Sequence, residues 1–171
     1  MRYRPEIYQK DIFHIPYRQL KKKGIRVLIF DLDNTLAAVE EHRASPKVIQ
    51  LFRTLQKDFK IFILSNNYPK RVSLFAKNLD VISVSFALKP LLFGYRRVRR
   101  IAHVSKDEMA MIGDQLLTDV WSAHRFGILA ILVDPLSKKD LKVTSINRRI
   151  EQKIFDHYQK KKIFERGNYY E

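Results

Sequence analysis

The most restrictive feature of this chain is the run Arg-Val-Leu-Ile-Phe-Asp at residues 26–31, which follows Gly24 and ends on an acid. Such a continuous apolar run reads as a strand buried on both faces, the situation of a central strand in a parallel sheet. Open α/β sheets bind their ligands in the crevice beyond the carboxyl ends of the strands. An acid in that place, Asp31, is therefore expected to be a functional group.

The same grammar recurs. Residues 60–65, Lys-Ile-Phe-Ile-Leu-Ser, read as a second buried strand ending on the hydroxyl of Ser65, and residues 109–114 as another ending on Asp114. Residues 128–134 form a further apolar run before Pro135, and residues 81–87 alternate as a strand that stops at Leu88-Lys89-Pro90. Helical stripes lie between them. Ser45-Pro46 is an N-cap followed by proline at the first helical position, ahead of Val48, Ile49, Phe52 and Leu55. Val72, Phe75, Ala76 and Leu79 follow Pro69, and Leu92, Tyr95, Val98, Ile101 and Ala102 mark the next helix. Residues 118–126 read as helical with Gly127 as C-cap. From Thr144 onward, Ile146, Ile150, Ile154, His157 and Tyr158 predict a long basic helix.

Strands alternating with helices predict an α/β fold: a doubly wound, mostly parallel sheet covered on both faces, with right-handed crossovers. A length of 171 residues suits one domain. We expect residues 1–24 to be an arm packing on the core, 25–135 the catalytic core, and 136–171 a basic helical extension of the same domain.

With no cysteine, disulfides, thiolate metal sites and thiol nucleophiles are excluded, so any metal must sit on oxygen or imidazole. No apolar run approaches the roughly 20 residues of a membrane span, and the first two dozen residues lack the apolar stretch of a secretory signal. A cytoplasmic protein is expected. Thirty-three Lys and Arg against eighteen Asp and Glu give a formal charge of +15, which favours polyanionic partners: nucleic acid, the ribosome or an anionic membrane leaflet. Charge alone does not choose among them.

In Asp31-Leu-Asp33-Asn-Thr35, two carboxylates lie two residues apart just past a buried strand. Buried together without a cation they would repel, and one would take up a proton. Mg²⁺ resolves the conflict, because it takes oxygen ligands and is held by one or two carboxylates plus a substrate phosphate; Asp114 is the natural third donor. Each residue also has an ordinary reading, Asp as a cap, Ser65 as a turn hydroxyl and Lys89 as a solvated surface cation.

Together, Asp31-x-Asp33-x-Thr35, then Ser65, then Lys89-Pro90, then Gly113-Asp114 with Asp119 five residues on, resemble the four-part signature of the haloacid dehalogenase-like phosphatase superfamily. The resemblance implies that Asp31 is the nucleophile and forms an aspartyl-phosphate, while Asp33 protonates the leaving group and then activates water. Such an acid calls for a partly desolvated setting. It further implies that Ser65 binds a phosphoryl oxygen and Lys89 neutralises charge on nucleophile and phosphate. Mg²⁺ would be held by Asp31, Asp114 and the backbone carbonyl of Asp33, with Asp119 acting through water or holding Lys89. Asn34 and Thr35 would shape the turn, and Thr35 and Asn66 would face the substrate.

Both intervals between the first three motifs are filled by one helix and one strand, leaving no room for a cap domain of about 50 residues. Phe30-Asp-Leu-Asp-Asn-Thr-Leu36, Leu64-Ser-Asn-Asn67, Lys89-Pro90 and Gly113-Asp-Gln-Leu-Leu-Thr-Asp119 resemble the capless YqeG-type phosphatases of subfamily IIIA, which are similar to phosphatidylglycerophosphate phosphatases. Asn147-Arg148 belongs to that resemblance without an assigned role. The implied substrate is a phosphorylated lipid head group. Basic clusters at residues 21–23, Arg96-Arg97, Arg99-Arg100, Lys138-Lys139 and residues 160–162 suit peripheral contact with an anionic membrane. Tyr3, Tyr8, Phe13 and Tyr17 suit either an interface or the core. Two alternatives stand beside this: a phosphatase acting on nucleic-acid ends, and a non-catalytic RNA- or ribosome-binding protein.

Overall fold

The computed structural model describes residues 2–137 and 142–171, with the side chains of 142–148 outside the description. Lys138-Lys139 and the side chains of Asn147 and Arg148 therefore lie outside the described residues.

The chain forms β1 (Ile7–Gln9), α1 (Tyr17–Lys22), β2 (Val27–Phe30), α2 (Pro46–Leu55), β3 (Lys60–Leu64), α3 (Pro69–Ala76), β4 (Ile82–Val84) and α4 (Phe93–Ala102), followed by β5 (Met109–Gly113), α5 (Trp121–Phe126), β6 (Leu129–Val133) and α6 (Lys142–Lys160). All strand pairs are parallel, in the order β1-β6-β5-β2-β3-β4. The doubly wound fold expected from strand–helix alternation is the observed one, and no cap domain interrupts it among the described residues.

Side-chain alternation on the strands builds a core on each face. Leu28 and Phe30 of β2, Ile61 and Ile63 of β3, and Ala110 and Ile112 of β5 meet Leu20, Val48, Phe52, Val72 and Phe75 of α1, α2 and α3. Val27, Ile29, Phe62, Leu64, Met109 and Met111 turn the other way, onto Tyr95, Val98, Phe126 and Phe155 of α4, α5 and α6. Burial on both faces is why these strands read as unbroken apolar runs. Ser45 accepts the Val48 N–H at 3.3 Å, with Pro46 next to it, so α2 starts as expected. Gly127, at φ 83°, takes the left-handed position that closes α5.

Several expectations need correction. The strand expected over residues 81–87 ends at Val84. Past it, the N–H groups of Phe86 and Ala87 turn to the carbonyls of Asn67 and Ser65, curling the chain back toward the end of β3. Ile101 and Ile150 are exposed, whereas Ile154 and Tyr158 of α6 pack against the core as expected, beside the buried Phe155 and Glu151. The helix expected at 118–126 opens with a wider, π-type turn, Leu116–Val120. The N-terminal arm contributes the strand β1, whose residue Tyr8 is also bridged antiparallel to Tyr170. Tyr8 is fully buried and Tyr17 packs against the core, whereas Phe13 is exposed.

Candidate active site

Because the strands are parallel, every residue that follows one of them emerges at the same edge. The Asp31 N–H donates to the Ile112 carbonyl at 2.8 Å, so the β2–β5 ladder extends to the first acid. Asp114 follows β5, next to β2, and Ser65 follows β3 on the other side. Asn34, at φ 65°, turns the chain sharply after Asp33, in a conformation that asparagine tolerates. Thr35 donates to Asp114 Oδ1 at 3.2 Å.

Lys89 arrives from the loop after β4. Its backbone is gripped by Asn66, which accepts the Lys89 N–H at 2.6 Å and donates to the Lys89 carbonyl at 3.0 Å. The buried ammonium lies 2.6 Å from Asp31 Oδ1 and 2.6 Å from Asp119 Oδ1. The other oxygen of Asp119 accepts the Gln115 N–H at 3.1 Å. Asp119 approaches so closely that a Cβ on Gly113 would collide with its carboxylate. The glycine of the Gly113-Asp114 pair is thus required by packing against Asp119. Thr35 and Asn66, expected to face the substrate, also hold Asp114 and the Lys89 backbone in place through these hydrogen bonds.

Burial pushes the Asp31 carboxyl well above the ordinary carboxylate range; Lys89 opposes the shift, and Asp119 and Asp114 add to it. Burial works against the charged form of Lys89, yet Asp119 and Asp31 outweigh it and hold the ammonium above its ordinary range. Asp31, Asp114 and Asp119 are buried with carboxylate oxygens within 4.8 Å of one another. Three buried carboxylates make an all-oxygen donor set, which fits a hard divalent cation.

Asp33 differs. Its side chain is only 15% exposed, the partly desolvated setting expected of it, and its partners are polar: Arg71 donates to Oδ1 at 3.0 Å and Asn67 to Oδ2 at 3.0 Å. Its side chain stands outside the cluster of three acids. Ser65 is buried and its Oγ accepts the Asn67 N–H at 3.1 Å. Reading the sequence missed Arg71, whose position in the first turn of a helix carries no signal. It also missed Glu151, which accepts the Leu117 N–H at 3.0 Å and ties α6 to the turn carrying Asp119. Glu151 is one of two acids in α6, with Asp156, and nothing in the local pattern sets it apart.

The sequence pattern of the haloacid dehalogenase-like hydrolases matches residues 11–127 of this chain, a stretch that contains Asp31, Asp33, Asp114, Asp119 and Lys89. The chain belongs to that family. It is an enzyme of the phosphatase class, which displaces the non-catalytic reading of its basic surface. The chain is 36% identical over 158 residues, 92% of both sequences, to a probable phosphatase, YqeG, of Bacillus subtilis. It is 24% identical to a chloroplastic and mitochondrial phosphatidylglycerophosphate phosphatase of Arabidopsis thaliana, over 80% of this chain and 42% of that protein. A predicted HAD-like hydrolase of Porphyromonas gingivalis superposes with a TM-score of 0.55 at 15% identity, covering 74% of this chain and 98% of its own, a likeness of fold.

Proposed function

We propose that this HAD-family enzyme is a Mg²⁺-dependent phosphomonoesterase with Asp31 as nucleophile, acting on phosphatidylglycerophosphate to release phosphatidylglycerol and inorganic phosphate. The observation that carries the chemistry is the pairing of Asp31 with the buried Lys89 beside Asp114 and Asp119, at the end of the parallel sheet where substrate enters. The lipid substrate is supported by the absence of a cap over this edge and by the similarity to phosphatidylglycerophosphate phosphatases.

Asp31 and Asp114, with the backbone carbonyl of Asp33, are the groups suited to hold Mg²⁺, which when bound polarises the phosphoryl oxygens and offsets their charge. Asp31 attacks phosphorus while the bond from phosphorus to the glycerol oxygen breaks, and Asp33 gives that oxygen a proton. Asp33 then takes a proton from water, the hydroxide attacks phosphorus, and the bond to Asp31 breaks to release phosphate. To reach the leaving oxygen, Asp33 exchanges its hydrogen bond from Arg71. Lys89 stabilises charge on the nucleophile and on the transferring group, and the Ser65 hydroxyl donates to a phosphoryl oxygen.

Phosphate release with Mg²⁺ should be measured on phosphatidylglycerophosphate in mixed micelles, a terminally phosphorylated oligonucleotide and an aryl phosphate, with Asp31→Asn as control. Preference for the lipid, with a dead variant, is the expected result. Turnover of the oligonucleotide alone retains the mechanism and replaces the substrate.

A further inference from the structure

The loop that delivers Lys89 exposes large apolar side chains where polar ones would cost less. Phe86 is 59% exposed and Leu88 57%, and both hold left-handed backbone conformations, at φ 47° and 52°. Bulky residues are disfavoured there, and Asn or Gly is the usual occupant. The residues between and after them, Ala87 and Lys89, are buried. The strained backbone therefore turns alternate side chains outward while Lys89 points in. Leu91 and Phe93 follow in the same segment, Phe93 at 65% exposure, and Tyr68 stands exposed after Ser65.

These residues share one edge of the molecule. The segments after β3 and β4 leave the sheet at the same end as Asp31 and Asp114, and Phe86 is tied to Asn67 by a backbone hydrogen bond. Phe93 opens α4, so it too lies at this edge, and the Arg96 guanidinium sits 5.9 Å from its ring. Within residues 66–100 the only acid is Asp80, at the opposite end of β4, whereas Lys70, Arg96 and Arg97 are exposed near the starts of α3 and α4. Apolar side chains flanked by cations match a bilayer interface carrying anionic head groups.

We infer that Tyr68, Phe86, Leu88, Leu91 and Phe93 form a membrane-docking rim that inserts beside anionic lipid head groups and sets the catalytic acids against the bilayer. The inference rests on the lipid-phosphatase reading above and names how that substrate is reached. A phosphate on a lipid head group then meets Asp31 without the lipid leaving its leaflet.

The test compares the wild type with Phe86→Asn/Leu88→Asn and, separately, Phe93→Ser, by sedimentation with phosphatidylcholine vesicles with and without phosphatidylglycerol. Asn suits the left-handed backbone, so the double variant should fold. Expected are binding of the wild type to the anionic vesicles, a loss of about tenfold or more in the double variant, and a smaller loss in Phe93→Ser. Turnover of a soluble aryl phosphate should be unchanged, while hydrolysis of vesicle-embedded phosphatidylglycerophosphate falls and that of a short-chain, monomeric form does not. Vesicle binding equal in wild type and variants overturns the rim, even where the lipid is hydrolysed. A wild type that ignores vesicles and forms a dimer dissociated by the substitutions overturns it in favour of a contact between copies. Rim-dependent binding with no hydrolysis of any form of the lipid supports the rim and removes the substrate reading.

Discussion

Asp31→Asn should abolish turnover and at the same time stabilise the protein in the absence of divalent cations. The Asp31 carboxylate lies within 4.8 Å of those of Asp114 and Asp119, and at an effective dielectric of about 20 each repulsion is about 3.5 kcal/mol. The attraction to Lys89 at 2.6 Å is about 6 kcal/mol on the same scale. The two repulsions thus offset the attraction, and the desolvation of a buried carboxylate is left uncompensated. The penalty is limited, because the group can take up a proton; holding an ordinary aspartate protonated at neutral pH costs about 4 kcal/mol. Asn keeps the shape and still accepts from Lys89, which retains Asp119, so the gain is about 1–4 kcal/mol. For a domain of this size that is roughly 2–4 °C in Tm per kcal/mol. Thermal unfolding in EDTA, followed by titration of Mg²⁺, gives the comparison. The wild type should gain stability with Mg²⁺ and the variant little. A variant that melts at or below the wild type in EDTA would refute the charge argument for the metal site.

Three further outcomes follow from particular contacts. Gly113→Ala drives a methyl group into the Asp119 carboxylate, and should cost about 1–3 kcal/mol of stability and most of the activity as Lys89 loses its anchor, read by urea unfolding and aryl phosphate turnover. Asp33→Ala leaves the buried Arg71 guanidinium without its carboxylate, while its Nε and Nη1 already have no hydrogen-bond partner among the described residues. It should cost about 3 kcal/mol or more, Asp33→Ala/Arg71→Met should recover much of this, and Asp33→Ala activity should fall further on alkyl than on aryl phosphates. At the edge of the fold, the His124 pKa is raised mainly by its hydrogen bond to Glu6, so the pair's contribution is complete below the unfolded histidine value of about 6.5 and is lost as pH rises through the higher folded value. His124→Gln should therefore lower stability at pH 6 by under about 1 kcal/mol and leave it unchanged at pH 9 in urea titrations.

Much of the site was legible because its residues terminate strongly patterned elements. Asp31, Ser65 and Asp114 each end an apolar run, and the parallel sheet places such ends together by construction. Arg71 and Glu151 were not legible, since a single charge on a helix reports nothing about the carboxylate or amide it meets 34 or more residues away. β1 was missed because three residues, Ile7–Gln9, carry too little pattern, and pairing with the distant β6 supplies the stability they lack. In residues 81–87, alternation suited a strand, yet β4 pairs with β3 alone, and hydrogen bonds back to Ser65 and Asn67 end it at Val84.

The sequence by itself determined the α/β class, the buried central strands and the order in which the acids reach the sheet edge, because period-two and unbroken apolar patterns are local consequences of burial. Tertiary structure alone decided the partners. It placed Asp119 on Lys89, set Thr35 on Asp114 and Asn66 on the Lys89 backbone, paired Asp33 with Arg71, and spent the strain at Phe86 and Leu88 on facing apolar groups outward. Such pairings depend on distances between segments far apart in the chain, which local patterning does not encode.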